Sequence, residues 1–365
     1  MPFRVNQKFM IPRSYPANNS GIVLIVVLWV LAILSIFVFI VGQGAKTEIS
    51  FAKYAVAKMK TRQYVWAGTF YALDQIKNYF PDGINKLPYI NFSEKNQMKQ
   101  PEEAAKIPID TGYFQMGYRV SSDENGSDTY GQGFQDESGR ININGLTLSN
   151  YHVLEQLLII LGVDNHIALD IALSMMDWQD RANDTVEPGL GAEDDFYMKQ
   201  PKPYHCKNLP YDSVEELFLV KGMTKKIFQT LKPYITVFPK YGGLTVNFNT
   251  ASEEVLKALA RSVTGPQTNT DLADADSLIS KILEYREKIN EQTVQDHQTM
   301  DFNDMPLNAK ERAIYLTINS YRSTRGGAVR FDVHAVEPAS RVETNIEVVV
   351  DQPTSNILYW QETAH

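Results

Sequence analysis

The sequence predicts an α+β protein: a long N-terminal helix packed on an antiparallel sheet, with a large all-α insertion interrupting that sheet. Three observations predict it. An uncharged run, Ile22–Val41, continues without a proline into an amphipathic stretch reaching residue 80. Segments alternating apolar and polar residues lie near 113–144 and again after 313. Between them, residues 147–312 repeat apolar positions at helical spacing.

The run Ile22–Val41 carries one hydroxyl, Ser35, and no charge; about 20 such residues cover a bilayer's hydrocarbon core. Beyond Gly42-Gln43-Gly44, Trp66, Phe70, Leu73, Ile76 and Phe80 recur at spacings of three and four, an apolar stripe for a globular body. About 58 helical residues span roughly 85 Å, more than a soluble domain needs. Gly42, Gly44 and Gly68 weaken the helix by about 1 kcal/mol each, and Pro81-Asp82-Gly83 ends it. Three fates are open. The helix stays as an uncleaved anchor, or it is a secretory signal cut after Gly44, or it is cut after Gly21 and keeps Ile22 as its new N-terminus.

Residues 84–110 read as a polar loop, Tyr113–Val120 as a strand, and Ser121–Asp128 as turn-rich. A second strand is predicted at Gly133–Asp136, a turn at Asp136–Arg140 and an alternating strand at Ile141–Asn144. Amphipathic helices follow at Asn150–Leu161 and Asn165–Trp178. Ser213 with Glu216 predicts a capped helix start; a tight turn at Leu219–Thr224 leads to a helix over Lys225–Tyr234. Thr250 or Ser252 caps Glu253–Ala260, and a third helix pair fills 275–312. The tail is predicted as strands at Ile314–Tyr321, Gly327–Val336, Val342–Val350 and Ile357–Trp360.

The chain of 365 residues carries a net charge of −8. Residues 1–21 hold Arg4, Lys8 and Arg13 and no acid, so the remainder has 32 Lys+Arg against 43 Asp+Glu, a net −11. Such a body repels nucleic acid and anionic lipid. Basic residues before the apolar run predict a cytoplasmic N-terminus and an outward-facing body. The one cysteine, Cys206, excludes an internal disulfide.

Leu219-Val220-Lys221-Gly222-Met223 resembles a helix-hairpin-helix turn, a module whose turn amides can hold phosphate. With so acidic a body, it reads more simply as a packing module that presents a surface to protein. Residues 177–195 hold Asp177, Asp180, Asp184, Glu187, Glu193, Asp194 and Asp195 against Arg181 alone, a net −6. This run is either a solvated acidic surface or an all-oxygen ligand set suited to a hard cation such as Ca²⁺. The six histidines are scattered, and neither H-E-x-x-H, G-x-S-x-G nor a P-loop is present. No enzymatic activity is expected.

Taken together, several segments resemble the K-type minor pseudopilins of type II secretion, the general secretion pathway protein K family. They are Gly21–Trp29, Asp136–Asn144, Asp177-Trp178-x-Asp180, Gly191–Asp195, Asp212–Leu217 and Val246-x-x-Asn249-Thr250-Ala251-Ser252, in the family's order. Departures are the 21-residue leader and the extra spacing Thr185–Leu190. The resemblance implies a prepilin leader (1–21), a transmembrane segment (22–41), a pilin-like sheet in two parts (42–146 and 313–365), and a helical, helix-hairpin-helix or SAM-like insertion (147–312).

It further implies cleavage after Gly21 by prepilin peptidase and methylation of Ile22. Pilin-type subunits usually carry a glutamate as the fifth residue after the cut; here that residue is Val26. A subunit without this carboxylate cannot neutralise a preceding subunit's amine in lipid, which fits the filament tip. The family binds Ca²⁺ through its insertion, carried here to Asp177, Asp180, Glu193 and Asp194, with Asp195 and Asp184 in reserve. Implied partners are the other minor pseudopilins, the major pseudopilin, the inner-membrane secretion platform and secreted substrates, but no nucleic acid. The implied location is the bacterial inner membrane, single pass, with a periplasmic body. The rival is a membrane-anchored extracytoplasmic helix-hairpin-helix DNA-binding protein.

Overall fold

The first helix, α1 (Ser20–Tyr79), runs unbroken for 60 residues. The structure, a computed structural model, describes residues 20–79, 105–122, 128–131, 133–182, 184–296, 305–323 and 327–363. Most of the expected leader and the predicted stop at Pro81-Asp82-Gly83 lie outside the described residues. The chain forms two units, 1–59 and 60–365. In the first, every side chain from Gly21 to Val41 is exposed, and this helix is long and apolar enough to cross a membrane.

In the second unit, the rest of α1 lies on a mixed-length antiparallel sheet. Its strands are β1 (Ile107–Ile109), β2 (Gly112–Ser122), β3 (Asp128–Gly131) and β4 (Gln135–Asp136), and, after the long helical region, β9 (Ala328–Glu337), β10 (Val342–Asp351) and β11 (Ile357–Thr363). The order is β1-β2-β9-β10-β11, with β3 on β2 and β4 on β9. Tyr113 faces Val336 and Met116 faces Val333 in the β2–β9 ladder, so the sheet is completed only when the chain returns from the helical region. Tyr64, Val65, Ala72 and Ile76 of α1 are buried against Phe114, Phe331, Val333, Ile346 and Val348. The predicted stripe is therefore rotated: Trp66 is 46% and Phe70 61% exposed, and Trp66 stacks on Trp360 at 4.2 Å. Gly68 is the reason the helix can come so close. A Cβ there would lie 2.5 Å from Val333 Cγ1.

Several other predictions need correction. The loop expected at 84–110 contains β1, which the left-handed residue Asp110 (φ 48) turns back onto β2. Ile141–Asn144 does not join the large sheet. Only β5 (Ile141–Asn142) is a strand; it pairs in parallel with β6 (Ile235–Thr236), and a 3-10 turn follows at Ile143–Gly145. Its polar residues serve as hydrogen-bonding posts: half-buried Asn144 donates to Tyr211 and Val237 carbonyls at 3.0 and 2.9 Å. Finally, Ile314–Tyr321 is helical. Asn308 accepts from the Glu311 N–H while Glu311 accepts from the Asn308 N–H, a reciprocal capping box that outweighs the strand propensity of the residues after it.

The helical region contains α2 (His152–Ile160), α3 (Asn165–Gln179), α4 (Asp194–Tyr197) and α5 (Lys225–Leu231), followed by β7 (Val246–Asn247), α6 (Glu253–Arg261), α7 (Leu272–Asp296), α8 (Ala309–Ile318) and β8 (Arg322–Ser323). Its core is separate from that of the sheet: Leu154, Leu157, Ile171, Tyr197, Tyr211, Phe248, Leu256 and Ile279 are buried together. Ser213 caps a 3-10 segment, Val214–Leu219, through the Glu215 N–H, not through a box with Glu216. Glu216 instead pairs with Lys207 at 2.8 Å.

Two adjacent carboxylates join the cores. Asp136 is fully buried and accepts from Ser138 N–H (2.9 Å), Asn247 Nδ2 (2.9 Å) and Thr250 Oγ1 (2.8 Å). Glu137 accepts from Arg330 Nε of β9 at 2.6 Å and from the Thr236 hydroxyl of β6, and forms an ion pair with Arg140 at 3.1 Å. The turn expected at Asp136–Arg140 is thus the joint that fixes the helical region on the sheet.

Candidate functional site

The acidic run is held by the end of α3. Asp164 caps that helix by accepting from His166 N–H at 3.0 Å, and the helix carries Asp170 and Asp177 two turns apart on one face. Asp177 is fully buried. Its Oδ1 accepts from Val186 N–H (3.1 Å) and its Oδ2 from Ala192 N–H (2.8 Å), so the loop after α3 folds back over it. Gly191 permits this closure. Its φ is +79°, and a Cβ there would lie 2.0 Å from Asp177 Oδ2.

Glu193 follows at once and is 4% exposed. Neither of its carboxylate oxygens has a hydrogen-bond partner. Burial, followed by the charges of Asp177 and Asp180, pushes its carboxyl up to about 7; the nearby Cys206 thiol offsets part of the push. That thiol's own hydrogen bond goes to the Asp177 carbonyl at 3.5 Å. Burial also raises Asp177 to about 6, against the pull of its two N–H partners. Asp180 closes α3 and accepts from Ala182 N–H at 2.8 Å.

The other predicted ligands are placed differently. Asp194 pairs with His205 Nδ1 at 2.9 Å and accepts from Cys206 N–H at 2.6 Å, and these contacts hold its carboxyl below the usual range. Asp195 and Asp184 are exposed. As the side chains stand, no three His, Cys, Asp or Glu converge as an ion-holding group among the described residues. Asp177, Asp180 and Glu193 nevertheless fit a hard cation. A buried carboxylate with both oxygens unpartnered is costly, and either a proton or a cation relieves it. The donors are all oxygen, which suits Ca²⁺.

Sequence reading missed four contributors: Asp170, Lys221, His205 and Cys206. Asp170 had a signal, its helical spacing from Asp177. The others reach the site from loops distant in sequence, with no local pattern to mark them.

Residues 139–240, which contain the whole acidic loop and its supports, match the family model described as type II secretion system (T2SS), protein K. Over these residues the chain is similar to type II secretion system protein K. It is 31% identical over 131 residues to the type II secretion system protein K of Pseudomonas aeruginosa, covering 34% of this chain and 38% of that one. It is 36% identical over 109 residues to the protein K of Klebsiella pneumoniae, covering 30% of this chain and 32% of that one. The chain thus spans about a third of the length of these relatives. In fold it resembles a chain from the crystal structure of the GspK-GspI-GspJ complex of the enterotoxigenic Escherichia coli type 2 secretion system. The TM-score is 0.54 at 17% identity, over 84% of this chain and all of that one. The matched region runs from the Asp136–Arg140 joint to the turn after α5, and the acidic loop lies at its centre.

Proposed function

We propose that this protein is a minor pseudopilin of type II secretion that sits at the tip of the pseudopilus, starts its assembly and has no enzymatic activity. The observation that carries the reading is one chain joining a region similar to protein K to an apolar helix with every side chain exposed from Gly21 to Val41. The helix would be held in the inner membrane, with the body in the periplasm. Cleavage after Gly21 by prepilin peptidase would free the Ile22 amine, which is then methylated. Val26 supplies no carboxylate for a preceding subunit's amine, while the Ile22 amine remains available to the glutamate of the next. Other minor pseudopilins, the major pseudopilin and the secretion platform are the expected partners, with secreted substrates reaching the exposed helical region.

In the same reading the acidic loop binds Ca²⁺ through Glu193, Asp177 and Asp180, with Asp194 adjacent. The ion would neutralise carboxylates that burial otherwise holds close to protonation. The DNA-binding rival loses its best cation, because Lys221 in the hairpin turn is paired with Asp170.

The N-terminus of the membrane-extracted protein, read by intact mass and peptide sequencing, tests the proposal. Methylated Ile22 together with co-purifying pseudopilins is expected. An N-terminus at Met1 or Ala45 would overturn the tip mechanism, and a salt-dependent shift of duplex DNA would favour the rival.

A further inference from the structure

The hairpin turn and the acidic loop, separate in sequence, meet through Lys221. Its ammonium donates to Asp170 Oδ1 at 2.8 Å and to the Gly191 carbonyl at 3.0 Å, and it lies 5.5 Å from the centre of the Phe196 ring. Asp170 Oδ1 also accepts from Gly191 N–H at 3.0 Å. One ion pair therefore grips both polar groups of residue 191. The next two residues are the ones that matter: Ala192 donates to Asp177 Oδ2, and Glu193 carries the unpartnered carboxylate. The Lys221 N–H further donates to Tyr197 Oη at 3.3 Å, which ties the turn to α4.

We infer that the Lys221–Asp170 pair is a strut that positions Asp177 and Glu193 for their cation. The inference rests on the reading of the acidic loop as a Ca²⁺ site. Two effects of Lys221 oppose each other. As a bare charge it repels a cation, so its removal would tighten binding. As a strut it holds a peptide in a left-handed conformation, and its removal lets residues 191–193 relax, which weakens binding. The strut wins here because both side chains are three-quarters shielded from solvent, each 24% exposed, and because the loop has closed on Asp177 to the exclusion of a Cβ at residue 191. Outer supports of this kind change metal affinity by roughly 10–100-fold.

The test is calorimetric titration of the full chain in detergent with CaCl₂ as the probe. Lys221→Met is expected to bind about 10–100-fold more weakly than the native chain, with an unchanged circular dichroism spectrum in EDTA. Lys221→Arg should recover most of the loss. Should Lys221→Met fail to fold, Asp170→Asn takes its place and should show a similar drop. Lys221→Met combined with Asp170→Asn should be no weaker than the weaker single variant. Equal or tighter binding by Lys221→Met, or additive losses in the double variant, would overturn the strut while leaving the Ca²⁺ site standing. An absence of binding by the native chain would remove the site and the strut together.

Discussion

Glu137 Oε1 lies 2.6 Å from Arg330 Nε, across 193 positions of the chain. Both side chains are almost wholly buried. Arg330 also reaches Glu347 of β10, while Glu137 reaches Thr236 of the helical region. The pair is the charged half of the joint between the two cores. Truncating Arg330 to Met would strand the Glu137 charge with Arg140 alone. A loss of about 3–5 kcal/mol is expected, the usual consequence of breaking a buried pair on one side. Thermal and urea unfolding of Arg330→Met would show it, and a change below 1 kcal/mol would place the pair among ornamental surface bridges.

The same joint sets an acid response. Burial opposes the Glu137 charge, but Arg140 and Arg330 outweigh it and bring its carboxyl down from 4.5 to about 2. A carboxyl lowered on folding stabilises fully above its unfolded value, and that contribution is lost as pH falls. The window is therefore pH 4.5 down to about 2, worth about 3 kcal/mol by linkage. Asp136 beside it works with the opposite sign, since burial raises it. Glu137→Gln should be less stable near neutrality and lose less on acidification. Stability measured by urea at several pH values checks both, and parallel curves would sink the assignment.

Gly191 is the hinge of the acidic loop. Alanine there meets both a positive φ and a clash with Asp177 Oδ2. A loss of roughly 1–3 kcal/mol is expected from the backbone alone, together with loss of Ca²⁺ binding. Melting in EDTA measures the first and melting with added CaCl₂ the second. Wild-type behaviour in both would mean that the loop is free to rearrange.

Glu193 carries the sharpest signature. Its buried, unpartnered carboxylate is a cost to the metal-free chain. Glu193→Gln should therefore raise the melting midpoint in EDTA at pH 8 while abolishing the further rise expected of the native chain in CaCl₂, a rise that would follow mass action. A variant destabilised in EDTA and still responsive to CaCl₂ would refute this role.

Much of the fold was legible in local pattern. The unbroken α1, the strands β9 and β10, the helices α2, α3 and α6, and the cap at Ser252 all follow from periodicity and end signals within a dozen residues. The misses have separate causes. The face of α1 that packs was misjudged at Trp66 and Phe70 because both faces carry large apolar groups; the sheet chose the face that offered Gly68. Residues 314–321 carry strand-forming side chains, yet a cap at Asn308 made them helical. In the candidate site, Asp177, Asp180 and Glu193 were legible as an acidic run. Their burial, and the pairing of Asp194 with His205, were not.

The sequence by itself determined the apolar helix, the acidic run, the absence of an internal disulfide and the place of most helices and of the long strands, because each is written in composition or in spacings shorter than one element. Only the tertiary structure decided which carboxylates lost water. Asp136 and Glu137 became a joint, Glu193 was left without a partner and Lys221 turned inward to Asp170. Burial and charge pairing depend on neighbours that the chain brings together from afar, and no local spacing encodes them.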